Sequence, residues 1–572
     1  MITKLSVRNF KLFEDVEVEL GDRVVLIGPN NSGKTSALQA LALWDVGVKR
    51  WAEKRGAGDV PEKRSGVTIN RRDLIAAPVP SANLLWRDLH VRQGVREGEK
   101  TRTQNILVEV SVEGVANGAE WTCPMEFDYA NEESFYCRPQ KLTAGGRAEV
   151  PVAATGLKVA YLPPMSGLAP NETRLDPGAI NVRLGEGRTA EVLRNLCYLV
   201  LTGESGSEKW KGIVERIDAL FGCRLEEPSI VKERSEIVLS YKTRSKVRLD
   251  ISAGGRGQQQ TLLLLAHMTA NPGAVLLLDE PDAHLEILRQ AQIYDVLTET
   301  ATRTGSQIIA ASHSEVLLAE AADRDIVIAF VGKPHRIDDR GSQVLKALRE
   351  IGFDQYYQAE ETGWVLYLEG STDLAILRAF ATTLGHPAAA VLERPFVKYV
   401  GNQPKTAQDH FYGLREAKPD LAAAAIYDRL EREPPSDPNL RQTMWRRREL
   451  ENYLATKETL LAYAEARGRE ASGDLFAAEW RAVMENAIAT IESALTSLGK
   501  PSPWSADLKA SEEFLGPLFK AFYKHLGLPN LMQKTNFHEL ARFVPASALD
   551  PEVREKLDLI VEVATGAQLK TK

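Results

Sequence analysis

Cysteine is scarce in this chain of 572 residues. Only Cys123, Cys137, Cys197 and Cys223 occur, and no two form a C-x-x-C pair. That spacing argues against a thiolate zinc site and predicts reduced thiols in a cytoplasmic protein rather than bridges. Long apolar runs are missing too: none approaches the ~20 residues needed to span a bilayer, so no membrane role is expected. The opening MITKLSVRNFKLFEDVEVEL alternates like a strand, carries acids early and lacks the apolar core of a secretory signal. Basic character is also absent, with a net charge of −7 and a pI of about 5.9. Chains that coat nucleic acid are usually basic, so contact with DNA or RNA must be local. There is no internal repeat and no low-complexity tract. No tyrosine sits in a motif suited to a covalent topoisomerase intermediate, which argues against strand passage.

What remains is an ordinary globular composition, 44% hydrophobic and 26% charged. The length exceeds one core and predicts two to four domains. Residues 1–45 read as strand, strand, glycine loop, helix. Residues 46–180, rich in Gly, Pro and short β-like runs, read as a lobe inserted after the first helix. Residues 187–222 show helical spacing of apolar residues, which fits either a packing helix pair or a dimerisation segment. Residues 236–345 alternate strands and helices, and VLLLDEP and QIIAASHS look like strands buried on both faces. A boundary is expected near 345–362. A second strand–helix series then begins, and residues from about 455 to 530 read as a helical insert.

GPNNSGKTS fits the phosphate-loop pattern GxxxxGK[ST] between a strand and a helix. Gly28 and Gly33 let the backbone curl, and the N–H groups from Asn30, Asn31 and Ser32 through Ser36 face phosphate oxygens. Lys34 reaches the terminal phosphates, and Thr35 binds Mg²⁺. AVLLLDEP supplies the second acid: Asp279 to hold Mg²⁺ and Glu280 to polarise the attacking water. SAGGRGQQQ is a glycine turn entering a helix, an anion site that would cap a γ-phosphate held by another copy; Ser252, Gly254 and Gly255 are the expected contacts, with Gly257 as an alternative. DAHLE adds Asp282, and ASHS puts His313 at the next strand end, where it can touch the γ-phosphate or the water. These elements, in this order, resemble an ABC-type ATPase head of the SMC/RecF kind. The resemblance implies an ATP-dependent homodimer with two composite sites, although the signature reads SAGGRGQ rather than LSGGQ.

In VLYLEGSTDLAILRAF, Glu369 ends a strand and Asp373 lies in the first turn of the following helix, where it can also serve as a cap. AAAAIYDRLERE ends a later strand on Asp428. Parallel strands bring their C-terminal ends to one sheet edge, so the three carboxylates are expected to meet and to need a cation. Hard oxygen donors favour Mg²⁺, with Mn²⁺ or Ca²⁺ as substitutes. This arrangement resembles the TOPRIM domain, and behind an ABC head it is similar to the OLD (overcoming lysogenisation defect) nucleases. Within that resemblance WRRRELENYL supplies Glu449 and Glu451 as further metal-site acids, and Lys534, in LMQKTNFHEL, matches a late lysine near the scissile phosphate. Arg446, Arg447 and Arg448 line a candidate phosphate track or act as counter-charges, and Trp445 stacks a base or packs. One departure stands out: the second acid of the usual Asp-x-Asp is Leu430, with Glu431, Glu433 or Glu449 as substitutes, which puts two-metal occupancy in question.

The resemblance implies an α/β chain. An ABC-type ATPase domain over 1–350, with an inserted β-rich lobe (46–235) and a helical dimerisation segment (187–222), precedes a TOPRIM domain over 360–572 with a C-terminal helical region. It implies an ATP-dependent DNA endonuclease in anti-phage defence, as a dimer or tetramer, with a partner protein encoded nearby. An RNA- or tRNA-cleaving effector, an ATP-driven sensor or scaffold with a degenerate TOPRIM site, and an SMC-like DNA-end-binding ATPase are the alternatives.

Overall fold

Runs such as AVLLLD and QIIAAS have no polar face, so a strand built from them must be covered on both sides. The computed structural model, which describes residues 1–58, 65–74, 76–97, 100–143, 145–321, 324–337 and 351–570, gives them that environment. Two units divide the chain, Met1–Leu345 and Lys346–Lys572. The boundary expected near 345–362 falls partly outside the described residues.

In the first unit a six-stranded sheet runs in the order Val159–Leu162, Val275–Asp279, Gln307–Ser312, Arg23–Ile27, Ile326–Ala329, His335–Arg336. All neighbours are parallel except the last pair. Side chains alternate between two cores. Val275, Leu277, Ile309 and Ala311 face one, with Trp44 and Trp51 of the helix Lys34–Arg55. Leu276, Leu278, Ile308 and Ala310 face the other, with the helix Arg256–Ala270. Asp279 stands beside Ala311, and Ala311 beside Leu26, so the strands end level with one another.

The stretch 46–180 is not a separate lobe. Its strands Val108–Ala116, Ala119–Asn131, Ser134–Pro139 and Val67–Asn70 extend an antiparallel sheet begun by Phe13–Glu19 and Ile2–Phe10. Val7 opposes Val110 in that sheet. The segment also contributes Val159–Leu162 to the parallel sheet. The helices Leu193–Thr202 and Gly206–Phe221 bury Leu196, Cys197, Val200, Trp210, Ile213 and Ile217 in their own unit, as the packing reading requires. All four cysteines are buried and unpaired. Among the described residues no helix is long and apolar enough to cross a membrane.

The second unit holds a four-stranded parallel sheet in the order Val397–Tyr399, Trp364–Leu368, Ala422–Tyr427, Leu440–Met444. Glu369 and Asp428 therefore follow adjacent parallel strands at the same edge. The helices Lys457–Ser472, Asp474–Ser497, Gly516–His525 and Pro551–Lys570 complete this unit's core.

Trp44 ties the antiparallel sheet to the phosphate-loop helix. It is fully buried, stacks on Trp121 with ring centroids 6.1 Å apart, and donates from Nε1 to the Cys123 carbonyl at 2.8 Å. Trp44→Ala should cost about 3–5 kcal/mol, read as a lower urea midpoint for the first unit. An unchanged midpoint would show that the two layers are not mechanically joined there.

Candidate functional site

The strand Arg23–Ile27 delivers Gly28 to the sheet edge. A Cβ there would lie 2.7 Å from Ser32 Oγ and 2.8 Å from the Phe330 carbonyl, so only glycine fits. Gly33 has φ +104°, and a side chain there would meet the Phe13 ring at 2.7 Å. The helix begins at Lys34, where its free N–H groups form an anion site. Asn30, Asn31, Ser32, Gly33, Lys34, Thr35, Ser36, Leu12 and Glu280 line an open cavity of about 430 Å³. Lys34 Nζ donates to the carbonyls of Gly28 (2.7 Å) and Pro29 (2.8 Å), and burial lowers its pKa.

Asp279 faces this cavity through Thr35, whose Oγ1 donates to Oδ1 at 3.1 Å. The other carboxylate oxygen accepts from Tyr161 Oη at 3.2 Å. Tyr161 was not singled out from the sequence, because its strand is short and runs into Pro163 and Pro164. Burial pushes the Asp279 carboxyl up to about 6. Glu280 adopts φ +49°, a left-handed conformation that non-glycine residues seldom take. Its Oε1 lies 3.6 Å from His313 Nδ1, so the sheet edge brings together the two groups expected to handle water and γ-phosphate. Asp282 does not line the cavity. It is 3% exposed and accepts from Ser312 Oγ at 2.8 Å, which fixes the strand end that carries His313.

The glycine turn leads directly into the N-terminus of the helix Arg256–Ala270. Asp250 caps the short turn Ile251–Ala253 ahead of it by accepting from the Ser252 N–H at 2.8 Å. Ser252 and Gly255 are exposed and Gly254 is half-buried. Gly257 instead packs on its own chain, where a Cβ would lie 3.2 Å from the His284 carbonyl. Gly255 has nothing within 4 Å of that position, so the open face is the one carrying Ser252 and Gly255.

In the second unit Asp428 is crowded. Burial, followed by a hydrogen bond and like charge from Glu369, holds its carboxyl far above the carboxylate range, and Asp373 and Glu451 add to the field. Asp428 Oδ1 also accepts from the Leu450 N–H at 3.0 Å. Asp373 is pushed up to about 6 by burial and by Glu369, and Glu451 to about 7 by burial and by Glu449. The acids therefore share one electrostatic neighbourhood, but they do not form a finished coordination shell. Among the described residues no three His, Cys, Asp or Glu side chains are placed to hold one ion together. Asp373 Oδ2 accepts from the N–H groups of Glu369 (3.1 Å) and Gly370 (3.5 Å), as a helix cap does. Glu449 accepts from the backbone N–H and hydroxyl of Ser511. Those bonds fasten Glu449 to a segment 62 residues further along the sequence.

The cations are uneven. Lys534 is exposed, pairs with Glu512 at 3.3 Å, and acts electrostatically on Glu449 and Glu451. Lys509, which the sequence did not mark, pairs with Glu512 at 2.7 Å and feels Glu449 and Glu369. Arg446 pairs with Glu555 (2.9 Å). Arg447 pairs with Asp550 (3.4 Å) and lies over the Tyr453 ring. Of the three arginines, Arg448 alone is exposed without an ion pair among the described residues, which leaves little of the expected phosphate track. Trp445 is 2% exposed and packs in the core, so it does not present a face to a base.

Comparison with known proteins agrees with the nucleotide site. A family model described as "AAA ATPase domain" matches residues 1–45, and one described as "AAA domain, putative AbiEii toxin, Type IV TA system" matches residues 219–319. An OLD nuclease of Thermus scotoductus is 42% identical over 43 residues, 8% of this chain and 8% of that protein. The zinc import ATP-binding protein ZnuC of Wolbachia sp. subsp. Brugia malayi is 32% identical over 117 residues, 20% of this chain and 46% of its own. The chain thus spans less than half the length of either curated relative. Among solved structures, the SMC head domain from Thermotoga maritima aligns at 16% identity and TM-score 0.32, covering 59% of this chain and 98% of that one. An Smc head of Pyrococcus furiosus bound to the C-terminal domain of ScpA aligns at 15% and 0.34, covering 61% and 99%. Over residues 1–45 and 219–319 the first unit is thus similar to AAA-type ATPase domains.

The raised carboxyls make a stability prediction. Without divalent ions, the folded second unit retains protons at pH values where an unfolded chain has lost them, so folding is opposed increasingly as pH rises from about 4 through about 7. For Glu451, a rise from 4.5 to about 7 corresponds to a penalty on the order of 3 kcal/mol. Glu451→Gln should raise the melting temperature of the metal-free second unit by roughly 6–12 °C at pH 8 and hardly change it at pH 4.5. An equal shift at both pH values would contradict the electrostatic account.

Proposed function

We propose that this chain is an ATP-regulated, divalent-metal-dependent endonuclease of the OLD type, with a TOPRIM-like second unit. The observation that carries the reading is Glu369 beside Asp428 at the ends of adjacent parallel strands, within the field of Asp373 and Glu451. An all-carboxylate donor set suits Mg²⁺ or Mn²⁺. Glu369 and Asp428 would offer the metal its protein oxygens, within the field of Asp373 and Glu451, and Asp373 accepts from the Glu369 backbone amide. Such an ion, when bound, supplies a Lewis acid and activates water for phosphodiester hydrolysis. Lys534 and Lys509 lend positive charge beside the acids, where developing negative charge on a scissile phosphate needs it.

In the first unit Lys34 and Thr35 bind ATP, and Asp279 orients the Mg²⁺ that accompanies it. Glu280 takes the proton of the attacking water and His313 steadies that carboxylate. The exposed Ser252–Gly255 turn completes the site of a second copy, making an ATP-dependent homodimer with room for tetramers. The substrate is DNA, with RNA as the alternative, and the role is anti-phage defence beside a partner protein.

A second reading draws on Leu430, which stands half-buried where a further acid would be useful, and on the unfinished coordination shell. In that reading the protein is an ATP-driven sensor or an SMC-like DNA-end binder. Plasmid incubated with Mg²⁺ or Mn²⁺ separates the two. The nuclease reading expects nicking that Asp428→Ala reduces at least 100-fold, and equal activity in both proteins would sink it. For the first unit, Lys34→Ala should lose ATP binding, and Glu280→Gln should bind ATP, slow its hydrolysis at least 100-fold and elute as a stable dimer. Normal turnover in Glu280→Gln would remove Glu280 from the role of base.

A further inference from the structure

A cavity of about 330 Å³ in the first unit is lined by none of the phosphate-loop residues. Its walls nevertheless come from three elements that serve the nucleotide site. The phosphate-loop helix contributes Asp45 and Lys49, and the strand that carries Tyr161 contributes that residue, with Lys158 just ahead of it. The helix that starts at the glycine turn contributes His267.

The polar groups of this cavity are unbalanced. Asp45 is buried and held by Lys49 at 2.7 Å. Lys158, at the rim, has no ion pair among the described residues, and burial and then the charge of Lys49 lower its pKa. His267 is 2% exposed, and neither ring nitrogen has a hydrogen-bond partner. The Ala160 carbonyl is close by without making that bond. Burial lowers the ring to about 4, so at neutral pH it offers one donor and one acceptor. Folds seldom leave a buried imidazole unpaired. Asp73, also on the wall, pairs with Arg50 at 3.3 Å, and Lys49 is held by Asp45, so Lys158 is the lining cation without an ion pair among the described residues; with the unpaired imidazole it describes a receptor for an acidic group on a polar body. The volume lies at the lower end of small-molecule sites.

We propose that this cavity binds a small organic anion, its acidic group on Lys158 and its polar body against His267, and that occupancy is felt at the ATP site through Tyr161. Tyr161 both lines the cavity and donates to Asp279 at 3.2 Å. A ligand that shifts Tyr161 therefore shifts the carboxylate meant to orient Mg²⁺. The link to turnover rests on the ATPase reading of the first unit, whereas the binding site does not.

The full-length protein is titrated with ribose 5-phosphate and with 2-oxoglutarate, one phosphate and one carboxylate probe, by calorimetry and in ATP turnover. At least one probe should bind equally well to the wild type and to Lys34→Ala, which separates this cavity from the phosphate loop. Affinity should fall at least tenfold in Lys158→Glu, an exposed position, and in His267→Phe. The bound probe should change wild-type turnover at least threefold, and Tyr161→Phe should lose that response. Binding of neither probe, or binding lost in Lys34→Ala yet intact in Lys158→Glu, overturns the proposal. A wild-type chain without ATP turnover defeats the ATPase reading instead and leaves the calorimetric test standing.

Discussion

Repulsion between carboxylates brought to the ends of parallel strands is the constraint from which the rest follows. Two unit charges 4 Å apart cost roughly 4 kcal/mol at an effective dielectric of 20. Twice the chain gathers acids at strand ends. At one sheet edge Asp279 and Glu280 are adjacent, and the hydroxyls of Thr35 and Tyr161 and the ring of His313 surround them. At the other, Glu369 and Asp428 follow adjacent parallel strands, and burial and Glu369 hold the Asp428 carboxyl far above the carboxylate range. A fold selected for stability alone would place uncharged residues there.

The parallel topology produces both sites. Continuous apolar strands require cover on both faces, cover requires crossover helices, and crossovers leave every strand's C-terminal end at one edge. That edge is where the phosphate loop turns into its helix and where Glu369 is followed by the helix that bears Asp373. Around the second edge, distant segments hold the acids in position. Ser511 fastens Glu449, and Lys509 and Lys534 supply opposing charge from late in the chain.

Legibility followed the range of the interaction that fixes each feature. Gly28, Lys34, Thr35, Asp279 and Asp428 were readable because each sits in a short segment whose pattern gives its place: an apolar strand, a tight turn, a helix start. Tyr161 was not readable, since a four-residue strand ahead of two prolines resembles a loop and its partner Asp279 lies 118 positions away. The strand Val108–Ala116 likewise looked like part of an insert, because its pairing with Ile2–Phe10 joins residues about a hundred apart. Glu449 shows another long-range feature: its motif suggested a ligand, and only the fold reveals that Ser511 donates to it from 62 residues away.

Manganese binding measured by electron paramagnetic resonance, without nucleotide and at pH 8, tests the central claim most directly. The account predicts at least one tightly bound ion per chain in the wild type, retained in Lys34→Ala and lost when Asp428 is replaced by Ala. A wild-type chain that leaves all the manganese free in solution, or an Asp428→Ala variant that binds as much as the wild type, would contradict it.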